Sequence, residues 1–253
     1  MRDAQQVINA YQETFGRNSA LMILTWALGT YLKPVSHYYP HMALSADKGI
    51  GKSRLIEKLE ITTGIRKFSS NSLSESLLRD ITADTSLPIA FDELYNFSRE
   101  KTLLESAMKG HYSNSFRSPI LVSGENLDMR NMLSITVCTS LRLNMRGPEI
   151  DIGAIPEWPI EQWLQFLKRI NKRTLLIQTL GACREYCKSM VPAANRNSTS
   201  LKMVNNYALL LLSWKLLCEF AEINEAQRNY NYVVVTLISQ INEHNCLIWE
   251  AEK

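Results

Sequence analysis

Hydrophobic positions along the chain switch between helical and strand-like spacing, and the switches define the elements. Val7, Ile8, Tyr11 and Phe15 recur at helical spacing from Asp3 to Phe15. The stretch Ser19 to Leu32 is more apolar, with Leu21, Ile23, Leu24 and Leu28, and predicts a buried helix that stops before Pro34. Pro40 punctuates, and His41 to Ser45 is an apolar run of strand length. Helical spacing returns from Arg54 to Leu59, with Leu55, Ile56 and Leu59 on one face and Gly64 as the stop. Ile65 to Ser69 predicts a second strand. Ser72 and Glu75 read as a capping box opening a helix through Ala83, with Leu73, Leu77, Leu78 and Ile81 inward. Leu87 to Glu93 is an apolar strand ending in two acids. A helix from Glu100 to Lys109, stopped by Gly110, leads to strands at Pro119 to Val122 and Ile135 to Thr139. Strand and helix alternating in this way argue for a parallel sheet.

Beyond this the pattern changes. Prolines, glycines and acids from Gly147 to Trp158 mark a connector, and everything after it reads as helix. Pro159 suits a first turn, with Trp163, Leu164 and Leu167 inward. Leu175 to Met190 is another helix, and Tyr232 to Asn245 is the last. Between them, Ser200 to Phe220 carries Leu209, Leu210, Leu212, Leu216 and Leu217, apolar enough to be the centre of a small bundle. Three regions follow: residues 1–40 as helices packing on a core, 41–146 as that core, and 147–253 as a helical lid.

The chemistry concentrates where the first strand meets its helix. Ala46-Asp47-Lys48-Gly49-Ile50-Gly51-Lys52-Ser53 fits a phosphate-binding loop with Ala46 in place of its first glycine, and Arg54 continues it into the helix. Gly49 and Gly51 allow backbone N–H groups to turn toward a polyphosphate. Lys52 suits the β- and γ-phosphates of ATP, and the Ser53 hydroxyl suits Mg²⁺. A helix starting here directs its positive end at the same anion. The acidic end of the Leu87–Glu93 strand supplies complementary groups: Asp92 to hold Mg²⁺ through water, and Glu93 to polarise an attacking water as general base. Ser123, with Asn126 in reserve, ends a neighbouring strand where a polar side chain can contact the γ-phosphate or orient water.

Two further sets are basic. Lys109, His111, Tyr112 and Arg117 lie in an acid-free segment suited to a nucleic-acid phosphate and a stacked base, with a plain surface loop as the alternative. Arg130 is the foremost candidate for an arginine presented to a neighbouring subunit's nucleotide, ahead of Arg142 and Arg146. Arg196 and Lys202 are candidates for a lid's contact with nucleotide, a solvated helix start being the alternative.

Composition narrows this less than the motifs do. A hydrophobic content of 45% and a charged content of 21% describe a globular chain, and a net charge of +3 makes any basic surface local. The five cysteines, odd in number and scattered, read as reduced thiols. Cys183 and Cys187 face one another at helical spacing without a His or Cys partner at metal-ligand distance in sequence, which favours packing over zinc. The polar N-terminus is unlike a signal peptide, and the apolar run from Ala208 to Cys218 is interrupted by Lys215 and too short to span a bilayer. These readings predict a soluble, cytoplasmic protein.

The order of parts resembles the ring-forming AAA+ class of P-loop ATPases, and more narrowly the ATPase part of primase–helicase proteins carried by phages and integrated elements. The likeness rests on ADKGIGKS (Ala46 to Ser53), IAFDE (Ile89 to Glu93) and ILVSGEN (Ile120 to Asn126). PEWPIEQWLQFL (Pro156 to Leu167) and NNYALLLLSWKLLCEFA (Asn205 to Ala221) are similar to that group's helical part. The resemblance implies an α/β fold with a five-stranded parallel sheet, flanking helices and a C-terminal helical lid. It also implies a homo-oligomeric ring such as a hexamer, ATP and Mg²⁺ as cofactors, and movement along DNA, single-stranded in particular. A primase or another replication protein is the implied partner. Ala46 departs from the pattern, no arginine finger stands out, and neither a primase catalytic motif nor a zinc-binding segment is present. The leading expectation is therefore an ATP-hydrolysing DNA motor, the alternative a nucleotide-controlled switch recruiting replication or defence partners with slow turnover.

Overall fold

The computed structural model describes residues 2–15, 17–36, 38–83, 87–95, 99–110, 118–125, 127, 138–142, 155–170, 173–224 and 231–251. Its centre is a parallel sheet of β1 (His41–Ser45), β2 (Arg66–Ser69), β3 (Ile89–Asp92), β4 (Ile120–Gly124) and β5 (Cys138–Arg142), in the order β2-β3-β4-β1-β5. Strands β1, β3 and β4 are buried along their whole length, as expected where both faces of a parallel sheet are covered. Strand β2 is at an edge and partly exposed, and its Arg66 and Lys67 discourage pairing with another chain. At the other end of the sheet's core, His41 accepts the Ile120 N–H at Nδ1 (2.9 Å), joining the starts of β1 and β4.

Side chains alternate between the two faces with the period of two that a strand imposes. Ala43, Ile89, Phe91, Ile120 and Val122 pack on one face with Leu73, with Leu78 and Ile81 of α5 (Glu75–Ala83), and with Leu104 and Met108 of α6 (Arg99–Gly110). Met42, Leu44, Ala90 and Leu121 point the other way, into a cluster shared with α4 (Lys52–Thr63), α1 (Arg2–Phe15) and α2 (Arg17–Gly29). The same cluster takes in α7 (Ile160–Ile170), α8 (Arg173–Met190), α9 (Ser198–Phe220) and α10 (Asn231–Ala251). Helix α9 is buried on nearly every side and packs against α8, α2, α10 and β5. Tyr39, just before β1, ties the layers together: its hydroxyl lies 2.9 Å from Ser213 Oγ of α9, while Thr25 Oγ1 of α2 lies 2.9 Å from the Tyr232 hydroxyl of α10.

Several boundaries differ from expectation. Helix α2 gives way to a 3-10 turn at Thr30–Leu32, and the chain stays helical through α3 (Lys33–Ser36), because Pro34 occupies a first turn where its missing N–H costs nothing. Residues Ser70–Ser72 form a 3-10 turn, so Ser72 is not the cap of α5. Ser74 takes that role, its Oγ accepting the Leu77 N–H at 3.1 Å. Strand β5 runs over Cys138–Arg142, its register set by backbone pairing with β1 from His41 opposite Cys138 to Ser45 opposite Arg142, while residues 135–137 of the expected strand lie outside the described residues. Arg142 therefore closes the strand instead of following it. Helix α9 is capped at Asn197, whose side chain accepts the Ser200 N–H (2.8 Å) while Ser200 Oγ accepts the Asn197 N–H (2.8 Å).

Among the described residues no helix is long and apolar enough to cross a membrane. No group of three or more His, Cys, Asp or Glu side chains among them is placed to hold a metal. Cys183 and Cys187 are buried in α8, and burial pushes the Cys187 thiol up to about 12, which leaves both as packing groups.

Candidate functional site

All the strands of the sheet point the same way, so the ends of β1, β3 and β4 lie along one edge. The loop from Ala46 to Gly51 leaves β1 there and turns into α4. Gly49 (φ 79°) and Gly51 (φ 98°) adopt left-handed backbone, and Gly51 is the N-cap of α4. A Cβ at either would meet nothing within 4 Å. The glycines are thus required by backbone conformation, and the space above them is open to a ligand. Ala46 is buried and donates its N–H to the Gly124 carbonyl at 3.4 Å, so the missing first glycine leaves the loop joined to β4. Asp47, Lys48, Gly49 and Arg54 are exposed, and Ile50 and Ser53 half-buried.

Lys52 is nearly buried, and its ammonium donates to the carbonyls of Ala46 (2.7 Å) and Asp47 (2.9 Å). Among the described residues no carboxylate lies within ion-pair distance of it. A sequestered cation neutralised only by carbonyl dipoles, at a helix N-terminus and beside an open glycine loop, is a strong demand for an anion. This geometry fits a polyphosphate.

Asp92 ends β3 and is 5% exposed. Its Oδ1 accepts the Ser123 hydroxyl and the Glu93 N–H (3.0 Å), Oδ2 lies 3.4 Å from Lys67 Nζ, and the Ser53 hydroxyl is near enough to favour the charged carboxylate. Burial alone raises the carboxyl's pKa, but the Ser123 and Ser53 hydroxyls and the Lys67 ammonium together hold it below the usual carboxylate range. Asp92 is therefore an oriented anion in contact with the first turn of the loop helix. A carboxylate and a serine hydroxyl meeting in this way form a donor set suited to Mg²⁺.

Glu93 follows with its side chain exposed and its backbone in the left-handed region at φ 60°. For a residue with a Cβ this conformation is strained by about 1–3 kcal/mol and persists only when its surroundings enforce it. They do so here. The Glu93 N–H is taken by Asp92, its carbonyl accepts the Ser70 hydroxyl (2.8 Å), and the next N–H, from Leu94, donates to the Ser123 carbonyl at 2.7 Å. Gly124 makes that last approach possible. A Cβ on it would stand 2.3 Å from the Leu94 carbonyl oxygen and 2.7 Å from Leu127 Cδ2. Gly124→Ala is accordingly expected to destabilise the fold by about 1–3 kcal/mol, read as a lowered midpoint in a denaturant melt. An unchanged midpoint would show that Leu94 and Leu127 yield freely.

The loop residues, Lys52, Ser53, Asp92, Glu93 and Ser123 thus share one edge of the sheet. Ser123 is fully buried and donates to Asp92, which makes it a support for that carboxylate in this conformation. Arg142 reaches the same edge by backbone register, opposite Ser45. Arg196 is engaged away from it, its Nε donating to the Val191 carbonyl at 3.0 Å, and Lys202 is exposed on α9. Lys109 is in the last turn of α6. Asn126, His111, Tyr112, Arg117, Arg130 and Arg146 lie outside the described residues.

Sequence reasoning missed Lys67, Glu57, Ser70 and Gly124. Lys67 Nζ bridges Glu57 Oε1 of α4 (2.9 Å) and Asp92 Oδ2. Partial burial, which lowers the pKa of Lys67, is outweighed by these two carboxylates, and the group stays charged. A lysine on an edge strand reads as a solubility device, so only the pairing of Ser69 with Asp92 reveals where Lys67 reaches.

Comparison with known proteins bears on the fold alone. No protein-family model and no curated protein matches the chain. A solved structure described as "SCCmec type IV Cch - active helicase" superposes with a TM-score of 0.67 at 14% identity, over 94% of this chain and 50% of that one. The chain spans half the length of that helicase and is similar to it in fold: it has a helicase-like α/β architecture.

Proposed function

We propose that this chain binds ATP with Mg²⁺ and hydrolyses it as the motor part of an AAA+-type helicase acting on the DNA of a phage or mobile element. The observation that carries the reading is a buried Lys52 whose partners among the described residues are all carbonyls, on the same sheet edge as an Asp92 carboxylate that the Ser53 hydroxyl helps to keep charged. In this reading 41–146 is the nucleotide-binding core, 1–40 supports it, and 147–253 is the helical lid. The word helicase in the description of the similar structure supports the same class of function.

The residues divide the work. Bound Mg²⁺·ATP supplies a phosphoryl group polarised by the metal. The loop N–H groups from Asp47 to Ser53 bind the phosphates, and Lys52 holds the outer two by charge. Ser53 and Asp92 hold the metal, with Ser123 fixing the Asp92 carboxylate. Glu93 takes a proton from the attacking water at its exposed carboxylate. Arg130 is proposed to act on a neighbouring subunit's nucleotide in a homo-oligomeric ring. Lys109, His111, Tyr112 and Arg117 are proposed to contact single-stranded DNA, which makes binding fall steeply with salt.

The test is ATP affinity and phosphate release with and without single-stranded DNA, for the unaltered chain and Lys52→Ala. Loss of the charge-assisted contacts is expected to weaken ATP binding about 10- to 100-fold. Equal affinity in the variant refutes the site. Tight binding with negligible turnover, even with DNA present, favours the switch.

A further inference from the structure

Asp92 has more cationic company than a metal-holding carboxylate needs. While Oδ1 is occupied by the Ser123 hydroxyl and the Glu93 N–H, Oδ2 faces Lys67 at 3.4 Å. Lys67 is not held by Asp92 alone. Its closer partner is Glu57 Oε1 at 2.9 Å, on a side chain 57% exposed, whereas the Asp92 side chain is 6% exposed. One ammonium is therefore shared between a buried acceptor inside the site and a solvated acceptor at its rim. Lys67 sits on β2 opposite Ala90, two residues before the Ser69–Asp92 pair, so its flexible stem extends along the sheet face toward the acid. The rest of the site gives it no such freedom, since Ser123 is buried and Glu93 is pinned on both sides by backbone bonds.

We propose that Lys67 is a positioning residue for Asp92: in the nucleotide-free chain it is the carboxylate's counter-cation, and Glu57 is the acceptor that draws it aside when a divalent metal brings charge to the site. The inference rests on the nucleotide-binding reading above and deepens it. Two cations competing for one carboxylate set the strength of the metal linkage. Removing Lys67 frees Asp92 for the metal. Removing Glu57 leaves Lys67 with Asp92 as its sole carboxylate partner among the described residues and strengthens the competitor.

The experiment measures how much Mg²⁺ improves nucleotide binding, as the ratio of affinities for a fluorescent non-hydrolysable ATP analogue in MgCl₂ and in EDTA. Lys67→Met is expected to raise this ratio about three- to tenfold, and Glu57→Gln to lower it about two- to fivefold. Lys67→Arg, which keeps the charge, is expected to return the ratio toward that of the unaltered chain. The double variant separates action through Lys67 from a plain field effect: it matches Lys67→Met if Glu57 acts through the lysine, and falls near the unaltered chain if the two charges act independently. Independent effects, or an unmoved ratio in Lys67→Met, overturn the proposal while leaving nucleotide binding intact. Failure of the unaltered chain to bind the analogue overturns both readings. If Lys67→Met does not fold by thermal melt, Glu57→Gln decides by itself, since its side chain is exposed and an unchanged ratio there is equally fatal.

Discussion

Glu93→Gln is expected to abolish most turnover, by about 10²- to 10⁴-fold, with ATP affinity and folding stability unchanged. The side chain is exposed, and its backbone bonds to Asp92 and Ser70 do not involve the carboxylate, so the amide replaces it without disturbing the strand end. The second variant at this position separates chemistry from strain. Glu93→Gly also removes the base, but it relieves the left-handed backbone at φ 60° and is expected to raise stability by about 1 kcal/mol. Phosphate release and a denaturant melt on the two variants measure both effects. Unchanged hydrolysis in Glu93→Gln removes the proposed base, and a less stable Glu93→Gly removes the strain argument.

Trp163→Ala is expected to cost about 3–5 kcal/mol, the largest loss of stability from any one truncation considered. Trp163 is fully buried in α7. Its ring meets Phe220 edge-on at 5.3 Å and 68°, Trp158 at 6.1 Å and 85°, and lies nearly parallel to Phe166 at 5.6 Å and 21°. Its Nε1 also donates to the Leu28 carbonyl of α2 at 3.3 Å, which joins the C-terminal helices to the N-terminal ones. Helices α2 and α9 are in contact and belong to the same hydrophobic cluster as one face of the sheet. The loss should therefore appear in the unfolding of the whole chain, with helical signal and nucleotide binding lost together. A transition confined to part of the helical signal, with nucleotide binding retained, would show that residues 147–253 fold independently.

Legibility differed from element to element for identifiable reasons. The bounds of β1 agree with its apolar run because a strand buried on both faces has nothing but apolar residues to offer. The fifth strand extends past its expected end at Thr139 as far as Arg142, because pairing with β1 and not its own composition carries it there. Pro34 reads as a stop, yet a proline ends one helix or starts another depending on what precedes it. Ser72 and Ser74 both satisfy a capping pattern, and the intervening 3-10 turn selects the second. At the site, the glycines, Lys52 and the Asp92-Glu93 pair are recognisable because each role depends on a few adjacent residues. Ser123 reads as a polar strand end, but its partner is Asp92, thirty-one positions away.

The amino-acid sequence alone determined where the backbone can turn left-handed, which runs must be buried, and which strand ends carry acid or hydroxyl. These are properties of a residue and its immediate neighbours, and sterics and solvation decide them locally. Only the tertiary structure decided that β4 lies between β1 and β3, so that Ser123 supports Asp92 beside the Ser53 turn, and that β2 flanks β3 in a register bringing Lys67 to the same carboxylate. Strand order and register are settled by the competition of all the buried faces for one another, and no periodicity within a single segment records the outcome.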